Sequence, residues 1–379
     1  MAAAERAREV LASTVHFQNQ HIMGFGALNP NPRPGIHDWS SLDARLELIR
    51  STGGEPVITL CCSPDWMKGG EPGSTDWSRL EVAPLPEHFD DFAALAGEVA
   101  RRYPDVRYFQ VWNELKGFFD EDLGRWDHEA YTDLYNRVYA AVKSANPEAR
   151  VGGPYVPVDS WSSPEVASHP SDLVGPWGVI DQRALDAISY WLAHADGADF
   201  VAIDGSIRTR DSGLITSPAG ATTKFAAVSS WIRERTTLPI WFSEFSARED
   251  RDIEEREAAA LAVGAVLQMI DGGANVALLW GAEQRQNSSS AGLWTATDRP
   301  DGGRPRLLAS YFRNLQQVLS GEMPSDPVDE LAPGVLRLRS STGTLVVRLS
   351  DAAHVERPPG VEEALEPWEV RLSLPAPGE

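Results

Sequence analysis

The fold class that the sequence predicts is α/β: a (β/α)8 barrel followed by a small antiparallel β unit. Three observations carry this prediction. From about residue 20 to residue 320, short apolar runs alternate with amphipathic helical segments, the pattern of a parallel sheet with helices outside. Two of these runs, 107–114 (RYFQVWNE) and 238–244 (LPIWFSE), carry large apolar groups and end in a glutamate. The alternation in the first puts Tyr108, Gln110, Trp112 and Glu114 on one face and Phe109, Val111 and Asn113 on the other, as in a strand covered on both sides. After Ser320 the period changes to two: segments opening at Gly334, Thr344 and Trp368 alternate between turns rich in Gly, Asp and Pro. A length of 379 residues suits a barrel of about 250 residues plus an appendage. The chain is expected to divide into a barrel, residues 1–320, and a β-rich unit, residues 321–379, too small to stand free and so packed on the barrel.

Taken in order, residues 1–12 read as a helix and a strand follows near 20–25. Residues 40–50 form a helix that Ser40 or Ser41 caps, with Leu42, Leu46 and Ile49 on one face and Gly53 at its end. Residues 56–62 are a buried strand, and 63–68 the loop at its carboxyl end. The alternation continues as helix 86–102, strand 106–113, helix 128–145, strand 150–153, a long loop 154–181 and helix 182–195. Strand 200–204, helix 222–234, strand 240–244, helix 253–271, strand 276–280, a polar loop 281–303 and helix 307–319 complete it. The pairs Gly152-Gly153 and Gly272-Gly273 read as turns. This makes seven strands where a closed barrel has eight, so the first strand is expected to lie ahead of the opening helix or to be re-used from elsewhere.

The bulk properties exclude several classes. With 42% hydrophobic residues the chain can bury a sizeable core, and its net charge of −21 argues against nucleic acid or an anionic membrane as partner, since both need basic patches. No run reaches transmembrane length, and residues 1–12 lack the apolar core of a signal peptide, so the chain as given is expected to be cytoplasmic. No GxGxxG opens a helix after the first strand and no P-loop is present. The eight histidines are scattered without HExxH or a facial triad, so no metal or other cofactor is expected. Cys61 and Cys62 are adjacent; on a strand they point to opposite faces and make no ordinary disulfide.

A parallel barrel gathers the carboxyl ends of its strands at one mouth, so Glu114 and Glu244 are expected to face each other there. Two carboxylates across a cleft equip a site for glycoside hydrolysis. One protonates the leaving oxygen; the other attacks the anomeric carbon at a separation of about 5–5.5 Å, or activates water at about 6.5–9.5 Å. A structural ion pair at the mouth is the plainer reading of the same residues. His21, Asp65, Trp66 and Lys68 follow early strands as candidate wall residues. Asp204 ends its strand and either binds sugar hydroxyls or is a plain helix cap or loop ion pair. The chain has 13 Trp, and those in loops, Trp126, Trp161, Trp177 and Trp294, either line subsites or pack. No strand-end Lys for a Schiff base and no late Gly-rich phosphate site is found, against an aldolase or a sugar-phosphate isomerase. A catalytically silent carbohydrate-binding barrel is the alternative, and the presence of both glutamates counts against it.

Val111-Trp112-Asn113-Glu114 followed by Trp241-Phe242-Ser243-Glu244 resembles the catalytic signature of clan A glycoside hydrolases, and most nearly family 39, the group of β-xylosidases and α-L-iduronidases. The resemblance extends over about residues 20–320 and includes Leu42-Asp43, Gly53, residues 56–60, Pro64 to Met67, residues 292–295 and residues 302–305. It implies a retaining double displacement with Glu114 as acid/base and Glu244 as nucleophile. It implies that Asn113 bonds the hydroxyl next to the anomeric carbon and that Trp280 floors the cleaved subsite, a core Trp being the other reading of that residue. The implied substrate is a neutral glycan or glycoside such as a β-xyloside or an α-L-arabinofuranoside. Two departures stand out. The clan places its two acids after strands four and seven, but here they follow the third and sixth; and Asp204 stands where the family often has His, while the first strand has Gln20 and His21 but not the Arg commonly found near its end of the barrel.

Overall fold

Seven apolar runs form one parallel sheet whose order follows the chain: β1 (Phe17–His21), β2 (Glu55–Leu60), β3 (Tyr108–Val111), β4 (Arg150–Pro157), β5 (Phe200–Ser206), β6 (Ile240–Ser246) and β7 (Val276–Leu279). The computed structural model describes residues 2–214, 217–247, 253–284, 292–351 and 364–375. Helix α1 (Ala3–Thr14) precedes β1; α2 (Ser40–Ser51), α3 (Phe89–Arg102), α4 (His128–Ala145), α5 (Gln182–His194), α6 (Pro218–Arg233), α7 (Glu255–Asp271) and α8 (Leu307–Leu319) each follow a strand. The class is the expected (β/α)8-like barrel with a C-terminal antiparallel unit. No described helix is long and apolar enough to cross a membrane.

Strand alternation sorts the core into two layers. Ile58, Leu60, Phe109, Val111, Val201, Ile203, Ile240 and Phe242 point outward into the contact with the helices. Phe17, Val57, Tyr108, Tyr155, Phe200, Ala202, Trp241 and Val276 point inward and plug the barrel. Phe200 and Trp241 stack at 4.3 Å. Gly152 lies inside β4 and is not a turn, because a Cβ there would sit 2.2 Å from the Phe200 ring. The plug therefore explains one half of a Gly pair that the sequence suggested was a break. Nearer the mouth the interior turns polar: Gln110 Nε2 donates to Thr59 Oγ1 at 3.1 Å, and Thr59 Oγ1 donates to Asn19 Oδ1 at 2.9 Å.

β1 and β7 are the two ends of the hydrogen-bonded order, and among the described residues no ladder bond joins them. A groove of about 350 Å³ runs along this seam, walled by Val15, Phe17, Met269, Val276, Leu278 and Phe312. The seam coincides with the strand missing from the count. α1 lies beside α8 near it.

Other boundaries move for local reasons. β1 ends at His21, short of the predicted residue 25, because the chain turns at Gly24 (φ 79°), whose N–H and C=O both bond Ala27. α6 begins at Pro218 because Ser217 caps it, accepting from Gly220 N. The loop 154–181 contains three short antiparallel strands. Cys61 and Cys62 are joined to each other as a disulfide, where a regular strand would point them apart. The C-terminal sheet has a fourth strand ahead of those predicted: β8 (Val328–Ala332), β9 (Val335–Ser340), β10 (Gly343–Arg348) and β11 (Val370–Ser373) pair in that order. The sheet rests on α7 and α8, with Leu349 filling the space left by Gly264 of α7.

Candidate active site

The backbone at the ends of β3 and β6 departs from regular strand geometry, and that departure aims the acids. β3 stops at Val111, and Trp112, Glu114 and Leu115 adopt φ of 69°, 51° and 50°. Each left-handed non-Gly residue costs about 1–2 kcal/mol, which the surrounding packing must offset. Trp112 is thereby turned outward, buried against Phe92 and Phe118, and its indole N–H donates to the Lys116 carbonyl at 2.7 Å. Simple alternation grouped Trp112 with Glu114; the structure separates them. On β6, alternation would send Glu244 outward with Ile240 and Phe242. The pairing shifts register between Phe242 and Phe245, a bulge that returns Phe245 to the outer core. Glu244 is left lining the cavity at the mouth.

One carboxylate oxygen from each of Glu114, Asp204 and Glu244 lies within 4.8 Å of the others. Carboxylates this close do not all ionise together. Asp204 is 8% exposed, and burial first, then the charges of Glu114, Glu244 and Asp159, push its carboxyl well above the usual range; a hydrogen bond to Glu114 adds to this. On the open side Lys116 Nζ lies 3.4 Å from Glu114 and 2.7 Å from Glu81. Tyr155 Oη lies 3.4 Å from Glu244 Oε2, and burial together with the three acids holds its phenol protonated. Three carboxylate oxygens are hard donors but only half the six or more that Mg²⁺ or Ca²⁺ takes, so the described residues make at most a partial cation site.

Asn113, 2% exposed, meets His21 at 3.4 Å between Oδ1 and Nε2. Burial lowers the His21 imidazole to about 4; the bond to Asn113 opposes this and the charge of Lys116 adds to it. A neutral ring with its proton on Nε2 donates to Oδ1, which leaves the Asn113 amide N–H group for another acceptor. The pH consequence has a definite sign. The unfolded chain protonates His21 below about 6.5 while the folded state keeps it neutral to about 4, so stability is full above that window and falls as pH drops through it. Urea unfolding at pH 7 and 4.5 is expected to show the wild type losing about 2–3 kcal/mol more than His21→Gln. Equal losses would mean that His21 titrates freely.

A cavity of about 370 Å³ opens beside Glu244, with His21, Phe25, Trp280 and Trp294 in its wall. Trp280 is 44% exposed and meets Phe25, itself 38% exposed, edge to face at 6.3 Å. Trp66 is not in this wall; its indole donates to the Asn31 carbonyl and its ring meets His88 at 5.4 Å. Asp65 and Lys68 are buried 3.6 Å apart, and Lys68 Nζ donates to the Arg79 and Leu80 carbonyls, tying down the loop after β2. Trp177 is buried, Trp161 donates to Asp181, and Trp126 packs on Phe119. Sequence reasoning passed over Tyr155, Phe25 and Lys116. Tyr155 follows Gly153-Pro154, a loop signal; Phe25 falls at the end of the predicted strand; Lys116, two residues after Glu114, is the one with a usable signal.

No family model matches the chain. A β-xylosidase of Caldicellulosiruptor saccharolyticus is 31% identical over 133 residues, which is 32% of this chain and 26% of that protein. The match thus spans about a quarter of that relative's length. A monomeric β-xylosidase from Caulobacter crescentus superposes with a TM-score of 0.59 at 18% identity, covering 94% of this chain and 72% of that one. The GH39 enzyme from Xanthomonas axonopodis pv. citri does so with a TM-score of 0.61 at 18% identity, covering 94% and 70%. The chain therefore resembles the family 39 glycoside hydrolases: it shares the fold of solved members and, over about a third of its length, is 31% identical to a β-xylosidase.

Proposed function

We propose that this chain is a retaining glycoside hydrolase acting through a covalent glycosyl-enzyme on a neutral glycan or glycoside, a β-xyloside or an α-L-arabinofuranoside being the leading candidates. The observation that carries the reading is the convergence of Glu114 and Glu244, with carboxylate oxygens within 4.8 Å, at the mouth of the barrel. Oxygens that approach within 4.8 Å favour direct attack, for which the carboxyl groups stand about 5–5.5 Å apart, over inversion at about 6.5–9.5 Å. The β-xylosidase relative favours the pentoside.

In this reading Glu244 attacks the anomeric carbon while the leaving oxygen takes the Glu114 proton. Glu114 then removes a proton from water as the water displaces Glu244. Tyr155 holds the nucleophile by hydrogen bonding, Asn113 offers its amide to the neighbouring hydroxyl, and Trp280 with Phe25 supplies an apolar wall for the ring. The test is a panel of nitrophenyl glycosides, with the first-formed sugar followed by proton NMR. Turnover with retained configuration is expected. An inverted product would reject the double displacement, and sugar binding without turnover would favour the silent barrel.

A further inference from the structure

The reaction assigned to Glu114 and Glu244 uses two carboxyl groups, but the described residues bring a third, Asp204, to the same site. Asp204 belongs to neither role. Phe200, Ala202 and Asp204 share the inward face of β5, and the register of β5 shifts against both of its neighbours between Ala202 and Asp204. Such bulges re-aim a side chain. The Asp204 carbonyl is held by the Val158 N–H at 3.0 Å, and the side chain is almost wholly buried behind the other two acids.

We propose that Asp204 serves this reaction as a hydrogen-bond donor to Glu114, stabilising the carboxylate that Glu114 becomes once it has protonated the leaving group. The inference rests on the glycosidase reading and deepens it. In the first step Glu244 forms the bond to the anomeric carbon, the glycosidic C–O bond breaks, and its electron pair takes the proton from Glu114. Asp204 keeps its own proton and turns it toward the new anion. In the second step water gives a proton back to Glu114 as its oxygen displaces Glu244, and the donor bond relaxes. No proton of Asp204 is consumed. A neutral acid facing a developing anion in a water-poor pocket is an effective donor.

The groups around Asp204 fit a protonated carboxyl. Glu114 comes from the end of β3, Glu244 from β6, Tyr155 from β4, and Asp159 from the segment after β4; all four are acids. Among the described residues the cation facing it is Lys224 of α6, whose Nζ is taken up by Ser160 Oγ at 3.2 Å and the Ser206 carbonyl at 3.0 Å; burial lowers this ammonium to about 8. Burial and the neighbouring carboxylates raise Asp204 despite it.

Two measurements test this on the whole chain. The first needs no substrate. A carboxyl raised by folding keeps its proton where the unfolded chain loses it, so it costs stability as pH rises above about 4. Asp204→Asn is expected to melt above the wild type at pH 8, with the difference shrinking toward pH 4; a constant offset means Asp204 is ionised and overturns the proposal. The second is kinetic. Asp204→Ala is expected to slow glycosides with poor leaving groups about 10²-fold, but dinitrophenyl glycosides, which need no acid, by less than about fivefold. Asp204→Asn, which retains a donor, is expected to recover at least about tenfold of that loss. Asn and Ala equally impaired, or a loss that ignores the leaving group, would overturn the role. A wild type that hydrolyses no glycoside would overturn the function and this role together, while the melting curves still report whether Asp204 carries a proton.

Discussion

Glu244→Ala is expected to lower kcat on nitrophenyl glycosides by roughly 10⁴–10⁶-fold, the scale seen when a covalent nucleophile is removed. The side chain lines the cavity and its Oε2 is held at 3.4 Å by Tyr155, so truncation opens a pocket on the face opposite the leaving group. Azide placed there attacks once, and the expected product is a glycosyl azide of inverted configuration. Because the variant lacks the carboxylate assigned to form the glycosyl ester, a retained azide product would remove Glu244 from the role of nucleophile.

Glu114→Ala is expected to behave differently. Loss of the general acid should slow glycosides with poor leaving groups by about 10²–10⁴-fold, while dinitrophenyl glycosides still load the nucleophile and then stall, giving a burst. Azide should now intercept the glycosyl-enzyme. Two displacements in succession yield the retained azide, so the two variants are told apart by the configuration of one product. If neither variant is rescued, the assignment of both acids fails. Lys116, 3.4 Å from Glu114, is left facing Glu81 alone in this variant, so the fold should survive the change.

The barrel and its two glutamates could be read from the sequence because their signals are local. A short apolar run is visible without knowing what it packs against, and seven such strands were counted and found, two of them leading to a glutamate. What could not be read was the aim of the side chains. Strict alternation put Glu114 with Trp112 and, on β6, would have put Glu244 with Phe242. Left-handed backbone at Trp112 and Glu114, and a one-residue register shift on β6, reversed both groupings. A bulge leaves no mark in composition: it is a relation between two strands, and a single strand does not contain it. Gly152 shows the same limit. Read alone it is a breaker; beside Phe200 it is the only residue that fits. Tyr155 was hidden by its neighbours, since Gly153-Pro154 signals a loop whether or not the strand continues. β8 was missed because Asp329 and Glu330 interrupt its apolar alternation.

The open seam gives the site walls of unequal stiffness. Around most of the barrel, neighbouring strands are tied by peptide hydrogen bonds, so the distance between the side chains at their tips is set by covalent and ladder geometry. Across the seam nothing of that kind holds β1 to β7 among the described residues. His21 ends one bank and Trp280 follows the other, with Phe25 bridging to Trp280 by an edge-to-face ring contact. The gap on this side, where the proposed sugar would enter, is therefore held by dispersion forces between side chains such as Phe17, Leu278 and Phe312, which line both the seam and the cavity. Glu114, Asp204 and Glu244 sit on the rigid side. The chemistry is mounted on a frame of fixed dimensions, and the wall opposite it behaves as a spring.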